Sequence, residues 1–380
     1  MKTALLNGRI FTGDEWIEDQ ALIIEDKRIL GFCAVNELPE NLHQRIDLQG
    51  QRLLPGLVDT QVNGGGGVMF NDVPSVETLI QISQAHRKFG TTALLPTLIS
   101  DKLSVVEHAI TAVRDALDQG VPGIIGIHLE GPFLNPARKG VHNDKKFRRL
   151  DDQAIELLTS LPHGKTLVTL APELTTPERI RQLCDAGVIV AAGHTAADYT
   201  QTRQALDAGV KAFTHLFNAM TPFSSREPGV VGAALEDSES WCGVIVDGFH
   251  VHPASLRVAL AAKPRGKMLL VTDAMATLGS ELGGFYLNGE WIQAVDGRCA
   301  TSAGTLAGSA LDMLSAVRNT RDWLKISLDE ALRMASRYPA EMLGLGDELG
   351  SLKSGYRASM ILVDEELRLI NSWIDGKALH

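Results

Sequence analysis

Acidic, imidazole and amide side chains recur along the chain, each at the end of a short apolar run or just behind it. They are Asp59, Gln61, Asn63, His128, Glu130, His194, His215, Asp247, His250 and Asp273. Carboxylates and imidazoles that end buried strands are costly to desolvate unless they pair or bind a cation. One such histidine alone is most simply a satisfied core residue, but the whole set indicates a metal site.

Within this set, Glu130, His194 and His215 offer one carboxylate oxygen and two imidazole nitrogens. Two histidines and a glutamate are the ligands of a catalytic zinc site that keeps a position open for water. A metal held there lowers the pKa of water toward about 7. Asp273 is then placed to accept a proton from that water and later to donate it to a leaving group. We expect one divalent ion per subunit, Zn²⁺ by default, although Fe²⁺, Co²⁺ or Mn²⁺ also suit these ligands.

The elements that must position these residues are eight apolar runs separated mostly by amphipathic segments. The runs cover residues 53–59, 92–98, 123–129, 166–172, 188–194, 211–217, 242–248 and 268–274. Continuous apolarity is typical of parallel strands that are covered on both faces. Segments 75–90 and 103–120 have helical periodicity and end in glycine, a common left-handed helix cap. Eight alternations predict an α/β fold, a closed (β/α)8 barrel, with a doubly wound open sheet as the alternative.

The two ends of the chain have short strand-like runs with turns and little helical periodicity. Neither end has enough apolar mass for a core of its own. We therefore predict one small β-sandwich built from residues 1–52 and 348–380, with the barrel of residues 53–347 inserted between them. A further hairpin is predicted near residues 283–303.

Composition excludes several classes of protein. The chain has 380 residues, a net charge of −10, 44% hydrophobic and 22% charged residues. The negative charge disfavours nucleic-acid binding, and no run approaches the ~20 apolar residues of a membrane-spanning helix. The first residues lack the pattern of a signal peptide. Four scattered cysteines indicate reduced thiols, so we expect a cytoplasmic protein.

Nine segments in a fixed order carry a resemblance to a known family. They are PGLVDTQVNG (55–64), HLEGPFLNPARKGVHN (128–143), LAPE (170–173), AGHTAA (192–197), THLFNAM (214–220), REPG (226–229), DGFH (247–250), VTDAM (271–275) and GTLAGS (304–309). With them the sequence resembles the amidohydrolase superfamily and, within it, the family of N-acetylglucosamine-6-phosphate deacetylases. The segment from residue 128 to 143 is the most specific of the nine.

The resemblance implies hydrolysis of the acetamide of N-acetylglucosamine 6-phosphate in amino-sugar catabolism. It implies Glu130, His194 and His215 as metal ligands, Asp273 as general base and then acid, and His142 as the group that polarises the acetyl carbonyl. Substrate contacts are implied at Val141, His142, Asn218, Ala219, Arg226, Asp247, Gly248, Phe249, His250, Leu306, Ala307 and Gly308. It also implies a homodimer in which Arg226 reaches the neighbouring subunit's site.

One departure from the superfamily pattern concerns the end of the first strand. Many amidohydrolases have His-x-His there to bind a second metal, whereas this chain has Gln61 and Asn63. Neutral amides are poor zinc ligands beside imidazole. We therefore predict a single metal, with Gln61 and Asn63 as hydrogen-bonding residues near it.

Other polar features have simpler interpretations. Gly64–Gly67 lacks the surroundings of a phosphate loop, so close backbone approach or mobility is expected there. Arg138 and Lys139 are expected in a solvated loop. The remaining histidines are predicted at the surface: His43, His86, His108, His163, His252 and His380.

Two other functions stay open at this point. One is a different amidohydrolase that acts on a cyclic or peptide-like amide. The other is a barrel that binds a sugar phosphate without catalysing its reaction.

Overall fold

The computed structural model describes residues 1–379, and the chain begins with seven short strands. They are β1 (Lys2–Leu6), β2 (Arg9–Phe11), β3 (Trp16–Ile17), β4 (Gln20–Glu25), β5 (Arg28–Ala34), β6 (Gln44–Asp47) and β7 (Arg52–Pro55). No α-helix occurs before residue 76 in the described structure, in agreement with the lack of helical periodicity in this part of the sequence.

Strands and helices then alternate. The strands are β8 (Leu57–Val62), β9 (Gly64–Gly65), β10 (Val68–Met69), β11 (Thr91–Ile99), β12 (Gly126–Glu130), β13 (Lys165–Leu170), β14 (Ile189–Ala192), β15 (Ala212–Phe213), β16 (Trp241–Val244) and β17 (Met268–Leu270). The helices are α1 (Val76–Arg87), α2 (Leu103–Asp118), α3 (Asp152–Leu158), α4 (Pro177–Asp185), α5 (Tyr199–Asp207), α6 (Gly229–Glu236) and α7 (Pro253–Ala262).

Eight of these strands form one parallel sheet, in the order β8, β11, β12, β13, β14, β15, β16 and β17. A parallel bridge between Val62 and Ala274 joins the first strand to the segment that follows the last. This bridge closes the sheet. The predicted (β/α)8 barrel is thus confirmed, and the open doubly wound sheet is excluded.

Burial explains why the barrel strands are continuous apolar runs. Every residue of β11, β12 and β14 is buried, because side chains point alternately into the barrel and under the helices. Helices α1 and α2 lie where the amphipathic segments predicted them. The N terminus of α1 is capped by the Ser75 hydroxyl, which accepts a hydrogen bond from the Thr78 N–H.

An antiparallel excursion follows the barrel. It consists of β18 (Gly284–Leu287), β19 (Glu290–Val295), β20 (Arg298–Ala300) and β21 (Leu306–Ser309), in that order in the sheet. It contains the predicted hairpin, and a bridge from Ala274 to Ser309 attaches it to the carboxyl end of the barrel. Three helices come next: α8 (Met313–Leu324), α9 (Leu328–Ala335) and α10 (Arg337–Met342).

The last strands return to the first part of the chain. They are β22 (Met360–Val363), β23 (Leu369–Ile374) and β24 (Lys377–Ala378). One sheet has the order β24-β23-β22-β7-β2-β3 and the other β5-β4-β1-β6. Leu5, Leu22, Leu53 and Trp373 share the apolar cluster that both sheets contribute to. The predicted sandwich from both termini is present, and the predicted boundary between residues 52 and 53 falls inside β7.

The surface prediction is wrong for His86. This side chain of α1 is only 1% exposed, and its Nε2 lies 2.9 Å from the Gly64 carbonyl oxygen. Burial lowers the pKa of His86 to about 4, so the ring is neutral. The helical pattern did not reveal that this face of α1 packs against the glycine loop. His43, His108, His163 and His252 are exposed, whereas His380 lies outside the described residues.

The glycine loop itself shows the close approach that its composition predicted. A Cβ on Gly64 would lie 2.4 Å from the Val68 carbonyl oxygen. The loop backbone also bonds to the segment behind the last barrel strand, since the N–H groups of Gly64 and Gly67 donate to the carbonyls of Ala274 and Ala276. Among residues 1–379, no helix has the length and the hydropathy to cross a membrane.

The start of β12 gives a test of the barrel packing. A Cβ on Gly126 would lie 1.9 Å from the Lys165 carbonyl oxygen, and this strand ends at Glu130. We expect Gly126→Ala to lower the free energy of unfolding by about 2–3 kcal/mol through overpacking. Urea denaturation followed by tryptophan fluorescence measures this change.

The matched control is Gly283→Ala, because a Cβ there meets no atom within 4 Å. Its effect should stay within about 0.5 kcal/mol of zero. Equal stability of the two variants would contradict the packing at Gly126.

Candidate active site

Three side chains converge at the carboxyl end of the barrel. Glu130 is the last residue of β12, and His194 and His215 each come two residues after a strand, β14 and β15. All three are at most 5% exposed. Nε2 of His194 and Nε2 of His215 lie 3.1 and 3.0 Å from Glu130 Oε1. The two Nε2 atoms lie 3.1 Å from each other.

A contact with a backbone carbonyl determines which nitrogen of His194 directs its lone pair at this centre. Its Nδ1 lies 2.8 Å from the Arg138 carbonyl oxygen, which can only accept a hydrogen bond. Nδ1 of the neutral ring therefore carries the proton and donates it, and Nε2 has its lone pair directed at Glu130 and His215. His194 holds this position with a φ of 49°, a left-handed conformation that costs about 1–2 kcal/mol for a residue with a Cβ.

This arrangement fits a metal ion. The ligand atoms of a tetrahedral zinc site with bonds of 2.0–2.1 Å are about 3.3 Å apart, close to the three separations of 3.0–3.1 Å seen here. Burial would raise the pKa of Glu130, but hydrogen bonds and charge from the two histidines hold it well below its usual range. An ionised carboxylate and two imidazole nitrogens on one buried point require a shared positive charge, which protons on the imidazoles or a bound metal ion can supply.

Asp273 faces the same space from the eighth strand. It follows β17, is 8% exposed and lines one cavity with Glu130, His194 and His215. Burial and then the charge of Glu130 raise the pKa of Asp273 to about 6. A carboxyl group in this environment is suited to take up and release a proton near neutral pH.

Gln61 and Asn63 bond to the acidic residues of the site. Gln61 Nε2 donates to Glu130 Oε2 at 3.3 Å, and Asn63 Nδ2 donates to Asp273 Oδ1 at 2.6 Å. Each amide thus orients one carboxylate through a hydrogen bond. The predicted role of these amides as hydrogen-bonding residues stays a prediction that this geometry supports.

His142 has a defined tautomer because of Ser100, which sequence reasoning missed. The Ser100 N–H donates to His142 Nδ1 at 3.4 Å, and the Ser100 hydroxyl lies 2.8 Å from the same atom. Burial and then the neighbouring His194 lower the pKa of His142 to about 3, so the ring is neutral. Nε2 therefore carries the proton and is available as a donor.

The cavity in front of these groups has a volume of about 230 Å³. Seven residues of the predicted substrate site line it together with the metal-ligand cluster. They are Val141, His142, Asn218, Ala219, His250, Leu306 and Gly308. Ile99, Met275 and Thr305 also line it, although their residue types gave no chemical signal in the sequence.

Five predicted substrate residues do not line this cavity: Arg226, Asp247, Gly248, Phe249 and Ala307. Arg226 lies in an exposed loop between β15 and α6. Asp247 instead holds His250, whose Nδ1 lies 2.6 Å from Asp247 Oδ2. Burial would raise the pKa of Asp247, but the hydrogen bond from His250 outweighs it and lowers the pKa. The substrate roles of these five residues are not tested by the geometry.

Two of the buried polar residues that the sequence places at strand ends have hydrogen-bond partners inside the barrel. Asp59 accepts a hydrogen bond of 2.5 Å from the Thr272 hydroxyl, and burial raises the pKa of Asp59 to about 7. His128 lies 2.7 Å from the Thr169 hydroxyl through Nε2. These contacts satisfy polar groups that are not part of the metal-ligand cluster. Arg138 ends the short 3₁₀ turn of Pro136–Arg138, and Lys139 directly after it forms a solvent-accessible ion pair with Asp144.

Family comparisons agree with this geometry. Residues 52–379 match the model of the amidohydrolase family, and residues 3–53 match the model of the NagA composite domain. The chain therefore belongs to the amidohydrolase family.

Individual relatives extend the similarity over the whole length. N-acetylgalactosamine-6-phosphate deacetylase of Shewanella sp. (strain ANA-3) is 45% identical over 377 residues, which cover 98% of this chain and 94% of the relative. N-acetylglucosamine-6-phosphate deacetylase of Haemophilus influenzae is 37% identical over 380 residues, which cover 99% of each chain. The crystal structure of the N-acetylglucosamine-6-phosphate deacetylase from Pasteurella multocida has a TM-score of 0.96 at 37% identity, covering 100% of this chain and 99% of that one.

The cluster of Glu130, His194 and His215 predicts a metal stoichiometry. Protein that has been stripped with a chelator and dialysed against Zn²⁺ should retain one ion per chain, measured by plasma mass spectrometry. His215→Asn should lower the affinity by more than the roughly 10- to 100-fold that the loss of an outer-shell partner costs. The exposed His252 gives the control His252→Asn, which should retain the ion. Two tightly held ions per chain would contradict the single-metal interpretation.

Proposed function

We propose that the protein is a metal-dependent deacetylase of the amino-sugar catabolic class. It hydrolyses the acetamide of N-acetyl-D-glucosamine 6-phosphate to D-glucosamine 6-phosphate and acetate. The observation that carries the proposal is the convergence of Glu130, His194, His215 and Asp273 on one cavity. The names of the full-length relatives supply the substrate class.

The cofactor in this proposal is one divalent ion, Zn²⁺ by default and Fe²⁺, Co²⁺ or Mn²⁺ as alternatives with the same ligands. Glu130, His194 and His215 hold it. When bound, such an ion polarises a carbonyl and makes water acidic enough to ionise near neutral pH. Gln61 and Asn63 stand where other superfamily members have histidines, which is the reason for a single ion.

The side chains around the ion have separate tasks. The Nε2–H of His142 donates to the acetyl carbonyl oxygen, where negative charge develops as water adds to the carbon. Asp273 takes the proton from the attacking water. It then gives a proton to the sugar nitrogen as the carbon–nitrogen bond breaks, so that the amine leaves as a neutral group. Asn63 keeps the Asp273 carboxylate in orientation through the 2.6 Å hydrogen bond to Oδ1.

Recognition of the sugar phosphate requires local donors, because the chain carries a net charge of −10. In the proposal His250 and the backbone around Asn218, Ala219 and Leu306–Gly308 contact the substrate. Arg226 supplies the bidentate phosphate contact. Since Arg226 lies in an exposed loop outside the cavity of its own chain, its proposed partner is the site of the second subunit in a homodimer.

We place the enzyme in the cytoplasm. The support is the cysteine content, since Cys33, Cys184, Cys242 and Cys299 are all unpaired in the described structure. Unpaired thiols are typical of a reducing compartment.

A second candidate function is the same reaction on N-acetyl-D-galactosamine 6-phosphate. The observation in its favour is the 45% identity to the Shewanella deacetylase of that substrate, against 37% to the Haemophilus enzyme. The two sugars differ only in the orientation of one hydroxyl group. The metal-ligand cluster and Asp273 serve either substrate equally.

The role of Asp273 can be tested by Asp273→Asn. This variant should bind substrate but lose turnover by about 100- to 10,000-fold, because the amide cannot carry the proton. Coupled assays of acetate release and calorimetric binding measure the two effects. The exposed Asp185 provides the control Asp185→Asn, with unchanged turnover. Near-normal turnover in Asp273→Asn, or wild-type turnover that survives removal of the metal by a chelator, would reject this mechanism.

Steady-state kinetics on the metal-loaded protein can distinguish between the two candidate substrates. We expect a higher kcat/KM for N-acetylglucosamine 6-phosphate than for its galactose epimer. A preference for the galactose epimer by a factor of about ten or more, equivalent to about 1.4 kcal/mol, would assign the chain to the second candidate function. Acetate release from neither sugar would favour the non-catalytic alternative.

A further inference from the structure

Glu173 has no task in the proposed reaction, although it belongs to the LAPE segment behind β13. Its side chain does not line the active-site cavity. It is half-buried on the short 3₁₀ turn of Pro172–Leu174, between the loops that follow β12 and β14. A carboxylate in this place therefore acts on neighbouring residues and not on a substrate.

Three hydrogen bonds from two other loops end on this carboxylate. Oε1 accepts from Asn135 Nδ2 at 2.8 Å and from the Ala196 N–H at 2.7 Å. Oε2 accepts from the Thr195 hydroxyl at 2.6 Å. The two carboxylate oxygens accept all three hydrogen bonds, whereas a glutamine in this place would present an NH₂ group to one set of these donors.

These partners surround the metal ligand His194. Thr195 and Ala196 are the two residues that follow it in the chain. The backbone N–H of Asn135 donates to the His194 carbonyl oxygen at 2.9 Å. The same loop provides the Arg138 carbonyl that holds His194 Nδ1 at 2.8 Å. The contacts of Glu173 thus join the peptide behind His194 to the loop that orients its ring.

The conformation of His194 makes this support necessary. Its φ of 49° is a left-handed value, which a residue with a Cβ holds only where its surroundings enforce it. The Thr195 N–H donates to the Ala219 carbonyl at 3.1 Å on the other side. Glu173 and Ala219 therefore hold Thr195 from two directions. Without the carboxylate, Thr195 and Ala196 lose one of these anchors.

We infer that Glu173 is a positioning residue for the metal site, which keeps Nε2 of His194 directed at the ion through Asn135, Thr195 and Ala196. This inference rests on the metal site of the proposed function. It does not depend on which sugar phosphate is the substrate.

The experiment compares the Zn²⁺ affinity of Glu173→Ala with that of Glu178→Ala by competition with a chromophoric chelator. Glu178 lies five residues further on, in the first turn of α4, with a side chain that is 73% exposed. We expect a 10- to 100-fold loss of affinity for Glu173→Ala, the range typical of outer-shell partners of metal ligands. The control should stay within about two-fold of the wild type, well below that range. Urea denaturation of the metal-free proteins shows whether each variant is folded.

A second variant keeps the inference testable if Glu173→Ala does not fold. Thr195→Val preserves the shape of a fully buried side chain and removes the hydroxyl that donates to Glu173 and accepts from the Ala197 N–H. It should also weaken metal binding, by less than Glu173→Ala. Wild-type affinity in a folded Glu173→Ala, or in Thr195→Val if the first variant is unfolded, would overturn the inference and leave the proposed function intact. Absence of metal binding by the wild type would instead overturn the proposed function.

Discussion

The convergence of a carboxylate oxygen and two imidazole nitrogens on one buried point is the constraint on which the rest of this structure depends. Glu130, His194 and His215 place two nitrogens and an oxygen 3.0–3.1 Å apart where little water is present. Such an arrangement is unfavourable unless a positive charge lies among them. A bound metal ion can supply this positive charge, so metal binding is coupled to the geometry that the fold imposes here.

The barrel creates that configuration by its symmetry. Parallel strands deliver all their carboxyl ends to one rim, so residues that are far apart in sequence meet without any long loop. Between Glu130 and His215 the chain completes two further strand–helix units, and Asp273 comes from the last strand. The amides at the end of β8 connect the first strand to this site, because Gln61 donates a hydrogen bond to Glu130 and Asn63 donates one to Asp273. The first strand thus orients both Glu130 and Asp273.

Much of this arrangement could be predicted from the sequence, because both signals are local. Apolar runs give the strands, and the polar residues that end the runs give the site. Ser100, Glu173 and the buried face of His86 could not be predicted in the same way. Serine and a loop glutamate are common surface residues, and their importance comes from partners 42 and 22 residues away in sequence. His86 occupies a helix position that the periodicity alone did not assign to the interior.

The extent of each strand was also less predictable than its presence. The run of residues 53–59 is one apolar block in the sequence, but the structure divides it between β7 of the sandwich and β8 of the barrel. A buried strand has the same apolar sequence pattern whether the barrel core or the sandwich core covers it. The pairing of β7 with β2 and with β22 assigns it to the terminal domain, and β22 lies near the other end of the chain.

That pairing has a consequence for synthesis of the protein. β7 is an inner strand, with β2 on one side and β22 on the other, yet about 300 residues separate β7 from β22. At about 5–20 residues per second the ribosome needs roughly 15–60 s to supply the missing neighbour. During this interval the nascent chain exposes an unpaired apolar strand edge beside a barrel that is already assembling. An unpaired apolar edge of this kind favours pairing with another chain, so β7 is the part of the domain most prone to aggregation until the final strands emerge.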